Sequence, residues 1–257
     1  MIGIEKYAGE LERDFGKNLK RSVKRADEED LHQLRVTIKK IRALLQLLSY
    51  CHGQTKDVGK KLENLFKRAG RIRDLQLLVH RLRKQFKSGD KDGRELLDRL
   101  QQRLDRRIER FQHRYRHREK ETLAKTLLTM ERMIRAERVA TTADYFRTMK
   151  EKITATLREP VLDEKQLHHL RADIKSLHYN HRLAPRVGAT RLIDDKQLIK
   201  WEKLLGEWHD AVGIARKMAK LQTTATPELR QRLRDIEKTH SDLAGVLLQQ
   251  FWKRKIP

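Results

Sequence analysis

His32, Arg35, Lys39 and Arg42 stand at intervals of three and four residues, which on a helix turning about 100° per residue sets them in one row. His168, Arg171, Lys175 and His178 form a second row with the same intervals. Rows of this composition suit the holding of phosphate oxygens. An arginine clamps two oxygens at once, a lysine supplies a mobile point charge, and an imidazole donates from its neutral ring or becomes cationic beside phosphate. Binding by such rows is expected to tighten at mildly acid pH and to weaken with salt.

The two rows belong to a longer repetition. LHQLRVTIKKIRALL begins at Leu31 and LHHLRADIKSLHYNH at Leu167, an offset of 136 residues (167 − 31). The same offset superposes KKLENLFKRAGRIRD, from Lys60, on KQLIKWEKLLGEWHD, from Lys196, without a gap. One offset serving two separated segments points to a duplicated helical domain. Leu31, Leu34, Ile38, Ile41, Leu45 and Leu48 make the core stripe of the first copy, and Leu167, Leu170, Ile174 and Leu177 that of the second. A charged row beside an apolar one is ordinarily a solvated helix edge. Here His, Arg and Lys recur in phase while a neighbour changes from Lys40 to Ser176, and that contrast favours a shared ligand.

The third helix of each copy adds Arg73 and His209, projecting beside apolar positions and each followed by an aspartate, Asp74 and Asp210. They read equally as packing pairs with those aspartates or as anion ligands. Lys67 and Lys203, also matched, lie opposite the apolar face and are weaker candidates. On the fourth helix Arg99, Arg103, Arg107, Arg110, Arg114 and His117 share a face, and so many like charges destabilise a helix unless an anion neutralises them. Of these, Arg103, Arg107, Arg110 and Arg114 are retained as candidate ligands. The second copy has Thr239, Leu243, Val246 and Gln250 in the corresponding places, so the halves would contribute unequally.

Helices are expected at about 4–25, 28–51, 56–87 and 92–118, and again at about 141–158, 163–184, 190–221 and 227–253. The sequence over 119–138 is helix-prone and is expected to prolong the fourth helix and join the halves. Nothing alternates as a strand would. The simplest architecture is all-α, with two antiparallel four-helix bundles over 1–120 and 139–257, a helical connection over 121–138, and an approximate two-fold axis. The 257 residues carry 60 Lys and Arg against 36 Asp and Glu, a net charge of +24, with a pI near 10.3. That surplus calls for a polyanionic partner. Cys51 is the single cysteine and cannot form an internal disulfide. No signal peptide or membrane-spanning stretch is evident, which points to a cytoplasmic protein without a membrane partner.

His-x-x-Arg-x-x-x-Lys on one helix, an Ala/Leu-Gly-x-x-Arg/His-Asp element about thirty residues on, and the duplication of both resemble the CHAD family over nearly the whole chain. The resemblance implies a compact all-α domain around a basic central cavity that binds inorganic polyphosphate, and an association with polyphosphate granules. It carries over to the two rows above, with His178 where the first copy has Arg42. The Glu-x-Glu-x-Lys strand motif of the triphosphatase to which family members can be fused is absent from this sequence.

Two other functions compete. Non-specific nucleic-acid binding suits the charge, but aromatic residues make up only 5% of the chain, and no stacking platform or base-reading motif is visible. Catalysis on phosphates would need a Walker loop, a glycine-rich cradle or an acidic metal cluster. None is found; the adjacent His168 and His169 face different ways, and His178 and His181 lack a carboxylate one turn away. The sequence therefore predicts a non-catalytic binding protein with no cofactor and no metal, and leaves its oligomeric state open.

Overall fold

Leu, Lys, Arg, Glu and Gln dominate a chain with only four prolines, and the backbone answers with helix nearly everywhere. The computed structural model describes residues 2–53, 59–86, 89–116, 119–135, 139–181, 183–187 and 195–254. Among these there is no strand. The helices are α1 (Ile2–Lys24), α2 (Glu28–Cys51), α3 (Gly59–Gln85), α4 (Lys91–Tyr115), α5 (Glu119–Arg135), α6 (Val139–Arg158), α7 (Glu164–His181), α8 (Asp195–Gln222) and α9 (Pro227–Lys253), with a 3-10 turn at Ala184–Val187. His117 lies outside the described residues.

Contacts divide the chain into two units. The first comprises Met1–Asp90, Arg94–Arg147 and Tyr179–Arg191. Its core is made by the stripes that the periodicity predicts: Leu31, Leu34, Ile38, Ile41, Leu45 and Leu48 of α2 and Leu62, Leu65, Ala69 and Ile72 of α3 are all buried. Facing them, Ile4, Tyr7, Leu11, Phe15 and Leu19 line α1 at helical spacing. The stretch from Glu119, expected to prolong the fourth helix, is a helix in its own right. Thr126, Met130, Met133 and Ile134 give α5 its own buried stripe, and it packs against α1, α2 and α3.

The start of α2 is fixed with particular care. Ala26 adopts a left-handed conformation, φ 52°, and its carbonyl accepts from Gln76 Nε2 on α3 at 2.7 Å. Asp27 then caps α2, its Oδ1 accepting the Asp30 N–H at 2.7 Å. Arg25 grips the buried Asp30 carboxylate with Nε and Nη2 at 2.6 and 2.7 Å. At the far side of the unit Asn180 is fully buried, donating to the Ala43 carbonyl at 2.7 Å and the Tyr145 hydroxyl at 3.3 Å.

The second unit comprises Lys91–Gly93, Thr148–His178 and Leu192–Pro257. Leu167, Leu170, Ile174 and Leu177 of α7 are buried, as are Leu198, Leu205 and Met218 of α8. Leu229, Leu233, Leu247 and Phe251 bury one face of α9, which packs along α8. Thr226 caps α9, with Pro227 at its first turn.

Candidate functional site

In the first unit α2 delivers its cations to α3. The Arg35 guanidinium sits 4.2 Å from the centre of the Phe66 ring and Arg42 sits 4.0 Å from it, so one aromatic ring attracts two guanidinium groups. Arg35 Nη1 also donates to the Phe66 carbonyl at 2.9 Å. Room for this comes from Gly70: a Cβ there would stand 2.2 Å from Arg35 Nη1. Arg42 is ion-paired with Glu63, whose second oxygen lies 3.3 Å from Lys67 Nζ. Burial holds Arg35 below the usual guanidinium value, reinforced by the charges of Arg42 and Arg73 against the relief from Asp74. Burial likewise lowers Arg42, with Glu63 opposing.

In the second unit side chains of α7 reach α8 with different chemistry. Glu202 occupies the place that Phe66 has in the first copy (202 − 66 = 136), and it collects Lys175 at 3.3 Å and His178. These are the residues matched to Lys39 and Arg42. Burial lowers Lys175 and the charge of Arg171 adds to the effect, while Glu202 opposes it. Burial on its own would raise the Glu202 carboxyl, but the His178 hydrogen bond and the Lys175 charge leave it below its ordinary value. Higher on the same pair, His168 Nε2 lies 3.0 Å from Glu164 Oε1 and its Nδ1 3.3 Å from His209 Nδ1. The Trp208 ring stands 5.1 Å from that of His168, and Arg216 pairs with the other Glu164 oxygen.

Arg73 and His209, read beforehand as possible partners of the aspartates that follow them, turn to the preceding helix. Arg73 pairs with Glu28 and His209 with His168. Glu28 and Glu164 are themselves separated by 136 residues (164 − 28), each three residues ahead of its repeat. That offset was the available signal for them. Glu63 had none, because the matched position is Ile199.

The remaining candidates spread outward. His32 is exposed, while Lys39 and Arg171 are half-buried. Lys67 and Lys203 are exposed, at 60% and 73% of the side chain, and lean on Glu63 and Glu207 of their own helices. On α4, Arg103, Arg110 and Arg114 are exposed. Arg107 is half-buried and donates from Nη1 to the Arg71 carbonyl at 3.1 Å; burial and then the charges of Arg103 and Arg71 push it down. Arg110 and Arg114 join Arg68, His113 and Arg116 around a cleft of about 820 Å³, three basic residues that the helical rows did not single out. Among the described residues no three His, Cys, Asp or Glu side chains converge as a metal ion would require. No helix among them is long and apolar enough to cross a membrane.

Paired helices carrying clusters of half-buried cations, several of them ion-paired with glutamates, make up an all-α protein. The CHAD domain family model matches residues 7–219, and the chain belongs to that family. The crystal structure of the CHAD domain from the plant Ricinus communis is similar with a TM-score of 0.69, covering 95% of this chain and 83% of that one at 17% identity; the likeness is one of fold. No curated protein matches the chain.

Proposed function

We propose that this protein binds inorganic polyphosphate through the basic clusters of α2–α3 and α7–α8, with the α4 arginines extending the first. The observation that carries the reading is that Arg35 and Arg42 lie half-buried over one ring, Phe66, and that Lys175 lies half-buried beside Glu202. A bound phosphate chain would relieve both the desolvation and the mutual repulsion of Arg35 with Arg73 and of Lys175 with Arg171. Polyphosphate presents closely spaced oxygens without bases to read, and these clusters offer many donors, with the Phe66 ring already engaged by Arg35 and Arg42 and the Trp208 ring by His168. The reading is of a cytoplasmic, non-catalytic module that directs the protein to polyphosphate granules or organises them.

The test is affinity for long-chain polyphosphate against RNA of equal charge, for the wild type and an Arg35→Ala, Lys39→Ala, Arg171→Ala, Lys175→Ala variant. The expected result is a preference for polyphosphate that the variant loses. Equal binding of both polymers, unchanged by the substitutions, would instead mark a generic basic surface that adheres to nucleic acid.

A further inference from the structure

The face of α9 that corresponds to the arginine row of α4 has a different chemistry and calls for a different partner. Thr239, Leu243, Val246 and Gln250 lie within an arc of about 60° on the helix. All four are exposed, Leu243 at 43% and Val246 at 48%, while the adjoining face, about 90° round the helix, is buried by Leu229, Leu233, Leu247 and Phe251. From Thr239 to Trp252 the sequence contains no lysine or arginine. In a chain with 60 such residues this is a gap in the surface charge, and the one acid within it, Asp242, makes the patch neutral to slightly negative.

A second copy of this chain carries a net charge of +24 and is repelled from most basic surfaces. The cation-free stretch of α9 is a place where that repulsion is least and where apolar side chains are available to bury. We propose that two copies associate through α9, antiparallel across a two-fold axis, with Leu243 of each against Val246 of the other. The register is self-consistent. Positions that face each other sum to 489 (243 + 246), which also sets Thr239 against Gln250 and Asp235 against Arg254. Asp235 and Arg254 are both exposed, so the symmetric pair closes with two opposite-charge contacts at its ends, as an isologous interface requires. One helix face is smaller than the interfaces of permanent dimers, so the association is a weak one.

The proposal does not depend on polyphosphate and is tested without it, by sedimentation equilibrium of the full chain over a range of concentrations at low and high salt. The expected result is reversible doubling of the 30.6 kDa mass, favoured by salt because salt screens the repulsion between copies. Val246→Lys should raise the dissociation constant at least about tenfold. Asp235→Arg should weaken association as well, and adding Arg254→Asp to it should restore it. A monomer at every concentration would overturn the proposal. So would a dimer indifferent to Val246→Lys, or a double variant that dissociates more readily than the single one. All three positions are exposed, and an unchanged circular dichroism spectrum identifies variants that remain folded.

Discussion

A Cβ added at Gly70 would meet Arg35 Nη1 at 2.2 Å and Cζ at 3.0 Å, so Gly70→Ala must swing the guanidinium away from Phe66. At Gly206, the matched position on α8, an added Cβ meets nothing within 4 Å. Alanine is favoured over glycine inside a helix by about 1 kcal/mol. Gly206→Ala should therefore raise the unfolding free energy by about that amount and leave polyphosphate affinity alone. Gly70→Ala should forfeit the gain and weaken binding. Denaturant titrations and binding curves for both variants decide it, and equal affinities would show that the position of Arg35 is immaterial. A second prediction concerns Glu202, which competes with any phosphate for Lys175 and His178. Glu202→Gln should tighten polyphosphate binding. The same carboxyl, held below its ordinary 4.5 in the folded chain, contributes stability that is whole above pH 4.5 and is lost as pH falls through the lower folded value. Melting temperature measured downward from pH 4.5 should therefore decline less steeply in Glu202→Gln than in the wild type.

The helices themselves were largely legible in the sequence. The 3.6-residue stripes located the cores of α2, α3 and α7, because burial of an apolar arc is the dominant force on a helix of this length, and the spans expected for α2 and α9 match the observed ones. The segment around α5 was less legible, since helix propensity alone cannot tell a continuation from a separate helix; its buried Thr126, Met130, Met133 and Ile134 decide the matter in three dimensions. The basic rows were visible for the same reason as the cores. Their acidic and aromatic partners were not, because Glu63, Glu202 and Phe66 acquire meaning only when the third helix of each copy is rotated against the second. At this scale the cap of α2 is the feature to test. Asp27 satisfies the Asp30 N–H and starts the turn that carries Glu28 to Arg73. Asp27→Ala should cost about 1 kcal/mol of stability, measured by chemical denaturation, and an unchanged midpoint would mean that the Arg25–Asp30 contact suffices to hold the helix start.

For the molecule as a whole the governing quantity is charge. With +24 in 257 residues, binding to any polyanion should follow the release of condensed counterions, and log affinity should fall linearly with log salt. Removing Arg35, Lys39, Arg171 and Lys175 together should reduce that slope by about three, at about 0.7 per phosphate contact as for a single-stranded polymer. A slope unchanged in the variant would mean that these four cations do not touch the ligand.

Arg42, Arg73, His168, Lys175 and His178 each already hold a carboxylate, from Glu63, Glu28, Glu164 or Glu202. A lone orthophosphate entering such a cluster exchanges one anion for another at little advantage. Under the proposed function a long chain would make several exchanges for the loss of one molecule's freedom, so the internal acids would set a threshold that a polymer crosses by chelation and a monomer does not.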